Sequence, residues 1–166
     1  THSDVNLDDP NFEKSEYNAW ESYGRSKSAN IHFTQEIVRR YGDRIQSFAV
    51  HPGVIMTELG RHLTPELMNE MTERVKSRAT SSSEAKETGA LPFKSVEAGA
   101  ATQVWASVTE DLSENNGAYL GDCQVGVEGG NPSESGYLPY IFNRDTAEAL
   151  WSLSEKLVKQ EFPQLT

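Results

Sequence analysis

Tyr23 and Lys27 stand four positions apart in Tyr23-Gly24-Arg25-Ser26-Lys27. On a helix this spacing puts both side chains on one face, where an ammonium beside a phenol stabilises the phenolate. A phenol supported in that way can take a proton from an alcohol or give one to a carbonyl, which is the proton transfer of an oxidoreductase. Further along, Pro52-Gly53 closes the apolar run that ends at His51. Open α/β sheets bind ligands beyond the carboxyl ends of their strands, and a glycine there lets backbone approach a flat ring closely. Taken singly, each motif also fits a plain structural role: a partly buried tyrosine beside a solvated lysine, and a turn that stops a strand.

The elements that must position these residues are legible in outline. Residues 1–17 are polar, and Asp8-Asp9-Pro10-Asn11 signals a turn. A helix is predicted from about Asn18 to Arg40, with apolar or aromatic groups at Tyr23, Ile31, Phe33, Ile37 and Val38 and a cap at Gly42. Residues 45–51 read as a strand ended by Pro52, and a helix followed this closely by a strand is the second half of a βαβ unit. Thr64-Pro65-Glu66 opens a helix running to about Arg78, and the serine-rich residues 79–92 read as a loop or insertion. Val96, Ala100, Val104 and Val108 recur every four residues, predicting an amphipathic helix from Ser95 to about Thr109. Asn115-Asn116-Gly117 predicts a turn before a second strand at about 117–123, and residues 126–136 read as irregular. A last helix, from about Asp145 to Glu161, is expected to bury Ala149, Leu150, Leu153 and Leu157.

Composition removes several function classes. Twenty-five acidic against fifteen basic residues give a formal charge of −10, which repels a phosphate backbone and argues against nucleic acid. No run approaches the ~18 apolar residues of a membrane span, so no membrane segment is expected. Four scattered histidines offer no ligand cluster, and no metal is expected. His2, His32 and His62 read as surface or capping residues, while His51, at the strand end, reads as structural. The single cysteine, Cys123, cannot form an internal disulfide and reads as an inert buried thiol on a strand. Without a signal-peptide pattern at Thr1-His2-Ser3-Asp4, a cytoplasmic location is expected.

Four ordered motifs carry a family resemblance. They are Tyr23 to Asn30, Val50 to Thr57, Lys94 to Ala101 and Gly117 to Cys123, and together they resemble the C-terminal half of a short-chain dehydrogenase/reductase. The entry from Ser3-Asp4-Val5 to Asn11-Phe12, and Leu150-Trp151 to Glu155-Lys156, are similar to the retinol dehydrogenase-like and WW-domain oxidoreductase-like branch. The resemblance runs from near residue 3 to about residue 162.

It implies an α/β fold, the C-terminal part of a doubly wound parallel-sheet (Rossmann-like) domain. Residues 1–166 would form the catalytic half of one domain whose dinucleotide-binding half is absent from this chain. Tyr23 would be the catalytic acid/base and Lys27 would support it and bond the nicotinamide ribose. Pro52, Gly53 and Ile55 would line the nicotinamide, and Thr57 would bond its carboxamide or the phosphates. The implied cofactor is NADP or NAD, and the implied partner a small-molecule alcohol or carbonyl substrate. The tyrosine helix is a common subunit interface in relatives, which leaves room for a homo-oligomer.

The departures from the family pattern are equally specific. The glycine-rich cofactor turn, an asparagine on the preceding helix and the catalytic serine would all lie upstream of this chain. Ser3 adjoins Asp4-Val5, a segment that in relatives follows the catalytic strand, and it is not assigned the serine's role. Two functions are therefore weighed: an NAD(P)-dependent oxidoreductase, inactive as this chain alone, or a truncated relative without dinucleotide chemistry that acts as a binding or scaffolding partner.

Overall fold

The computed structural model describes residues 3–79, 93–130 and 135–163. Contacts divide the chain into two compact units, one of Thr1–Ala49, Asp111–Ala118 and Leu138–Thr166, the other of Val50–Glu110 and Tyr119–Tyr137.

In the first unit α1 (Ala19–Tyr41) packs against α4 (Arg144–Val158). Asn18 starts α1 because its side-chain oxygen accepts the Glu21 N–H at 2.9 Å, and the Gly42 N–H closes the far end on the Val38 carbonyl at 2.8 Å. The buried stripe of α1 is not the expected apolar one. Gly24, Ser28, His32 and Glu36 are buried at four-residue intervals, while Phe33 is half-exposed. Buried polar groups require partners, and Ser28 Oγ and His32 Nε2 have them. The Ser28 hydroxyl donates to the Ser3 carbonyl at 2.7 Å, and His32 Nε2 meets Asp4 Oδ1 at 2.8 Å. His32 is therefore an interior residue, contrary to the surface role expected of it.

On α4, Asn143 accepts the Thr146 N–H at 3.0 Å and Lys159 ends the helix in a left-handed conformation. Its buried positions are Ala147 and Trp151 rather than Ala149 and Leu157, which face solvent. The reason is aromatic packing: Trp151 stacks on Phe33 at 4.7 Å between centroids, and the Arg40 guanidinium lies 4.8 Å over it.

Only Ala49–His51 of the expected strand 45–51 is extended into a sheet as β1. The preceding residues are bonded partly by a side chain: the Ser47 carbonyl accepts the Gly117 N–H at 2.9 Å, but Asn116 accepts the Ser47 N–H at 2.8 Å and donates to the Ile45 carbonyl at 3.0 Å. The second unit holds β2 (Val54–Ile55) paired in parallel with β3 (Phe93–Lys94). It also holds β4 (Tyr119–Gly121), which forms an antiparallel hairpin with β5 (Gln124–Val125). One sheet runs in the order β1-β4-β5. Residues 126–136 are not wholly irregular, because β6 (Val127–Glu128) and β7 (Gly136–Tyr137) pair in parallel.

Thr64 caps α2 (Pro65–Ala79) as expected, its hydroxyl accepting the Leu67 N–H at 3.3 Å. Ser95 does the same for α3 (Val96–Val108) through the Ala98 N–H at 3.2 Å. The four-residue stripe of α3 faces outward: Val96, Val104 and Val108 are 62%, 59% and 72% exposed, and Gly99 and Thr102 are the buried positions. Gly99 turns inward because it lies directly against Ile55, where a Cβ would collide. The segment expected to be a loop or insertion at 79–92 lies, apart from Ala79, outside the described residues. The fold is thus mixed α/β with short parallel strand pairs. Among the described residues no helix is long and apolar enough to cross a membrane.

Candidate active site

Tyr23 and Lys27 occupy one face of the unbroken helix α1, beside its buried stripe. Tyr23 is 47% exposed, and Lys27 Nζ lies 5.2 Å from the centroid of its ring. Helix propagation through Gly24 keeps the spacing true, and the Ser26 hydroxyl donates to the Tyr23 carbonyl at 2.7 Å.

The loop leading into this helix is fastened to it. Asp9 is buried and accepts the N–H groups of Glu13, Lys14 and Ser15 at 2.7, 3.1 and 2.9 Å, and the Ser15 hydroxyl at 2.7 Å. The Ser15 hydrogen bond leads in holding the Asp9 carboxyl below the usual aspartate range, against the opposing effect of burial. Arg25, between Tyr23 and Lys27, donates to the Asp9 carbonyl at 3.1 Å, pairs with Glu21 and lies 4.2 Å over the Phe12 ring. Phe12 itself is left-handed at φ 55°. Only the Glu21 partner is signalled by local spacing; the anchoring contacts to Asp9 and Phe12 are not, because those residues lie in the upstream loop.

In the second unit Pro52 and Gly53 link β1 to β2, and Gly53 has φ +83°, a conformation that favours glycine. Ile55 follows on β2 with its side chain against Gly99. Thr57 is exposed and caps the 3-10 turn Glu58–His62, its hydroxyl accepting the Leu59 N–H at 3.3 Å. His51 stacks on Tyr119 at 6.3 Å.

Cys123 departs from expectation. It is exposed and lies in the turn between β4 and β5 rather than on a strand. Asp122 and Cys123 have φ of 52° and 53°, both positive as a type I′ hairpin turn requires. The Cys123 N–H donates to the buried Thr102 hydroxyl at 3.2 Å, and Asp122 pairs with Lys94. Lys94 and Asp122 fall inside the resembling motifs but were not among the expected site residues. Their only local signal is the placement of each at the end of a short apolar run. Among the described residues no group of acidic, histidine or cysteine side chains could hold a metal.

No family model matches the chain. Among curated proteins it is 35% identical over 164 residues to "Oxidoreductase calI" of Penicillium decumbens, covering 96% of this chain and 45% of that protein. It is 36% identical over 161 residues to "Short-chain dehydrogenase/reductase prx1" of Penicillium roqueforti, covering 94% and 43%. It is 33% identical over 158 residues to human "Retinol dehydrogenase 14", covering 95% and 40%.

Over nearly its whole length the chain is similar to short-chain dehydrogenase/reductase and retinol dehydrogenase proteins.

It spans less than half the length of these short-chain dehydrogenase/reductase relatives. Their match extends over both compact units, so the Tyr23–Lys27 helix and the Pro52–Thr57 segment fall within the shared region.

Proposed function

We propose that this chain is the C-terminal catalytic half of a short-chain dehydrogenase/reductase domain with a doubly wound, Rossmann-like parallel sheet. The whole protein is then an NAD(P)-dependent oxidoreductase that interconverts an alcohol and a carbonyl on a small-molecule substrate. The observation that carries this is the Tyr23–Lys27 pair, on one helix face with the ammonium 5.2 Å from the ring centroid.

When bound, the nicotinamide cofactor supplies or accepts the hydride. The residues of this chain fit such a group in two respects. Gly53 at φ +83° offers backbone without a side chain next to Pro52, and the Tyr23 phenol is accessible on a helix surface. Pro52, Gly53 and Ile55 would line the nicotinamide, with Thr57 bonding its carboxamide or the phosphates. Tyr23 transfers the proton at its phenolic oxygen, giving it to the forming alkoxide in reduction and accepting it from the alcohol in oxidation. Lys27 stabilises the phenolate left after donation and bonds the nicotinamide ribose.

The test is Tyr23→Phe in the full-length protein. This change deletes the phenolic oxygen and leaves the ring. Turnover should collapse while NADPH or NADH still binds, measured by quenching of protein fluorescence. Full turnover in that variant would rule out Tyr23 as the proton donor.

A further inference from the structure

Lys94 lies across the open side of Gly53. A Cβ on Gly53 would stand 2.7 Å from Cδ, 2.8 Å from Cε and 3.1 Å from Nζ of Lys94, so the lysine stem fills the place where other residues carry a side chain. The backbone brings Lys94 there through the parallel pairing of β2 with β3, in which Ile55 is the partner of Lys94. Its ammonium then reaches Asp122. Asp122 is fixed in turn: it sits in a two-residue turn with both φ positive, and the next residue donates its N–H to Thr102, a buried hydroxyl on α3.

The ion pair is partly solvent-accessible, with side-chain exposures of 24% and 31%, and pairs of that kind add little to folding stability. Its geometric consequence is larger. Holding the ammonium at Asp122 favours the stem's position over Gly53, because a free lysine side chain samples many rotamers. Gly53 in turn has no side chain of its own to restrict φ.

We propose that Lys94 and Asp122 form a clamp that fixes the Pro52-Gly53 turn, making Lys94 a positioning residue for the backbone that faces the cofactor. This rests on the assignment of Pro52 and Gly53 to the nicotinamide. The clamp governs cofactor affinity and leaves the proton transfer at Tyr23 largely intact.

Two measurements on the full-length protein test it. In the cofactor-free state, amide hydrogen exchange at Gly53 to Ile55 should quicken in Lys94→Ala and in Asp122→Asn, and return towards wild type in Lys94→Arg. With NADPH and NADH as probes, Lys94→Ala should raise the dissociation constant and KM for the cofactor on the order of tenfold, with kcat changed much less. Lys94→Met keeps a stem of similar length and serves if Lys94→Ala does not fold. The double variant Lys94→Met with Asp122→Asn should be no worse than the worse single variant, as expected of two residues acting as one unit.

Unchanged exchange at Gly53 to Ile55 would overturn the clamp even if the cofactor binds. Faster exchange with unaltered cofactor affinity, or strictly additive single effects, would overturn its link to binding. A wild-type protein that binds neither NADPH nor NADH would instead overturn the cofactor assignment itself, and the positioning role with it.

Discussion

Lys27 Nζ lies 5.2 Å from the centroid of the Tyr23 ring, one turn further along the same face of α1. The stripe Gly24, Ser28, His32 and Glu36 is buried beside them, so the pair is held at the boundary between packed helix and solvent. An accessible phenol on a rigid helix can meet a substrate oxygen, and the ammonium beside it stabilises the charge left after proton donation. Tyr23→Phe should therefore lower kcat by about 10²- to 10⁴-fold, the usual range for removing a general acid. Cofactor affinity and thermal midpoint should stay close to wild type, because the ring remains and the lost hydroxyl has solvent access.

Lys27 should behave differently. If it both supports the phenolate and bonds the ribose, Lys27→Met should reduce kcat by tenfold or more and raise the cofactor dissociation constant in the same protein. Lys27→Arg should recover part of the cofactor affinity. Steady-state kinetics paired with fluorescence titration separates the two effects. A Lys27→Met enzyme with wild-type cofactor affinity would remove the ribose contact from the assignment.

The sequence was most legible where structure depends on near neighbours. The helix starts at Asn18, Thr64 and Ser95 follow from one side chain accepting one nearby N–H, and the Tyr23–Lys27 face follows from helical spacing. It was least legible where partners are distant. The strand over 45–51 is cut short where Asn116, about 70 residues away, takes the Ser47 N–H and the Ile45 carbonyl. His32 and Ser28 are interior because Asp4 and Ser3 reach them from a separate segment. Lys94 was overlooked as part of the candidate site for the same reason: its partner Asp122 is 28 residues on.

Glu36 gives a pH-dependent prediction. It is 1% exposed and accepts hydrogen bonds from Arg39 Nε at 2.8 Å and Arg40 Nε at 2.6 Å. Burial pushes its carboxyl up, but the bonds and charges of the two arginines outweigh this and hold it below the ordinary glutamate value of 4.5. A folded-state pKa below the unfolded one means the contribution to stability is complete above the unfolded pKa. It fades as pH falls from about 4.5 through the lower folded value. Glu36→Gln should cost about 2 kcal/mol at neutral pH, since the change removes charged hydrogen bonds from an interior acceptor. The penalty should shrink as the medium is acidified. Urea unfolding at pH 7 and near pH 4 measures both, and a penalty that does not depend on pH would show that charge at Glu36 is not the stabilising feature.

The proposal that these residues are half of a domain has its own consequence. The outward stripe of α3 exposes Val96, Val104 and Val108 together. Among the described residues β1 lies at the end of its sheet, with β4 as its one neighbouring strand. An apolar helix face and a bare strand edge are what a missing layer of sheet would cover, and left open they favour association between chains. The isolated 166-residue polypeptide should therefore bind a hydrophobic dye, and its thermal unfolding should be broad or end in aggregation. A polypeptide extended upstream to the length of the relatives, of which this chain covers 45% or less in the three compared, should unfold cooperatively and bind the dye far less. Valine-to-serine changes at Val104 and Val108 should improve the solubility of the short form, where the face is bare, and destabilise the long form, where it is packed. A sharp, reversible transition from a monomer of the 166 residues alone would refute the half-domain assignment.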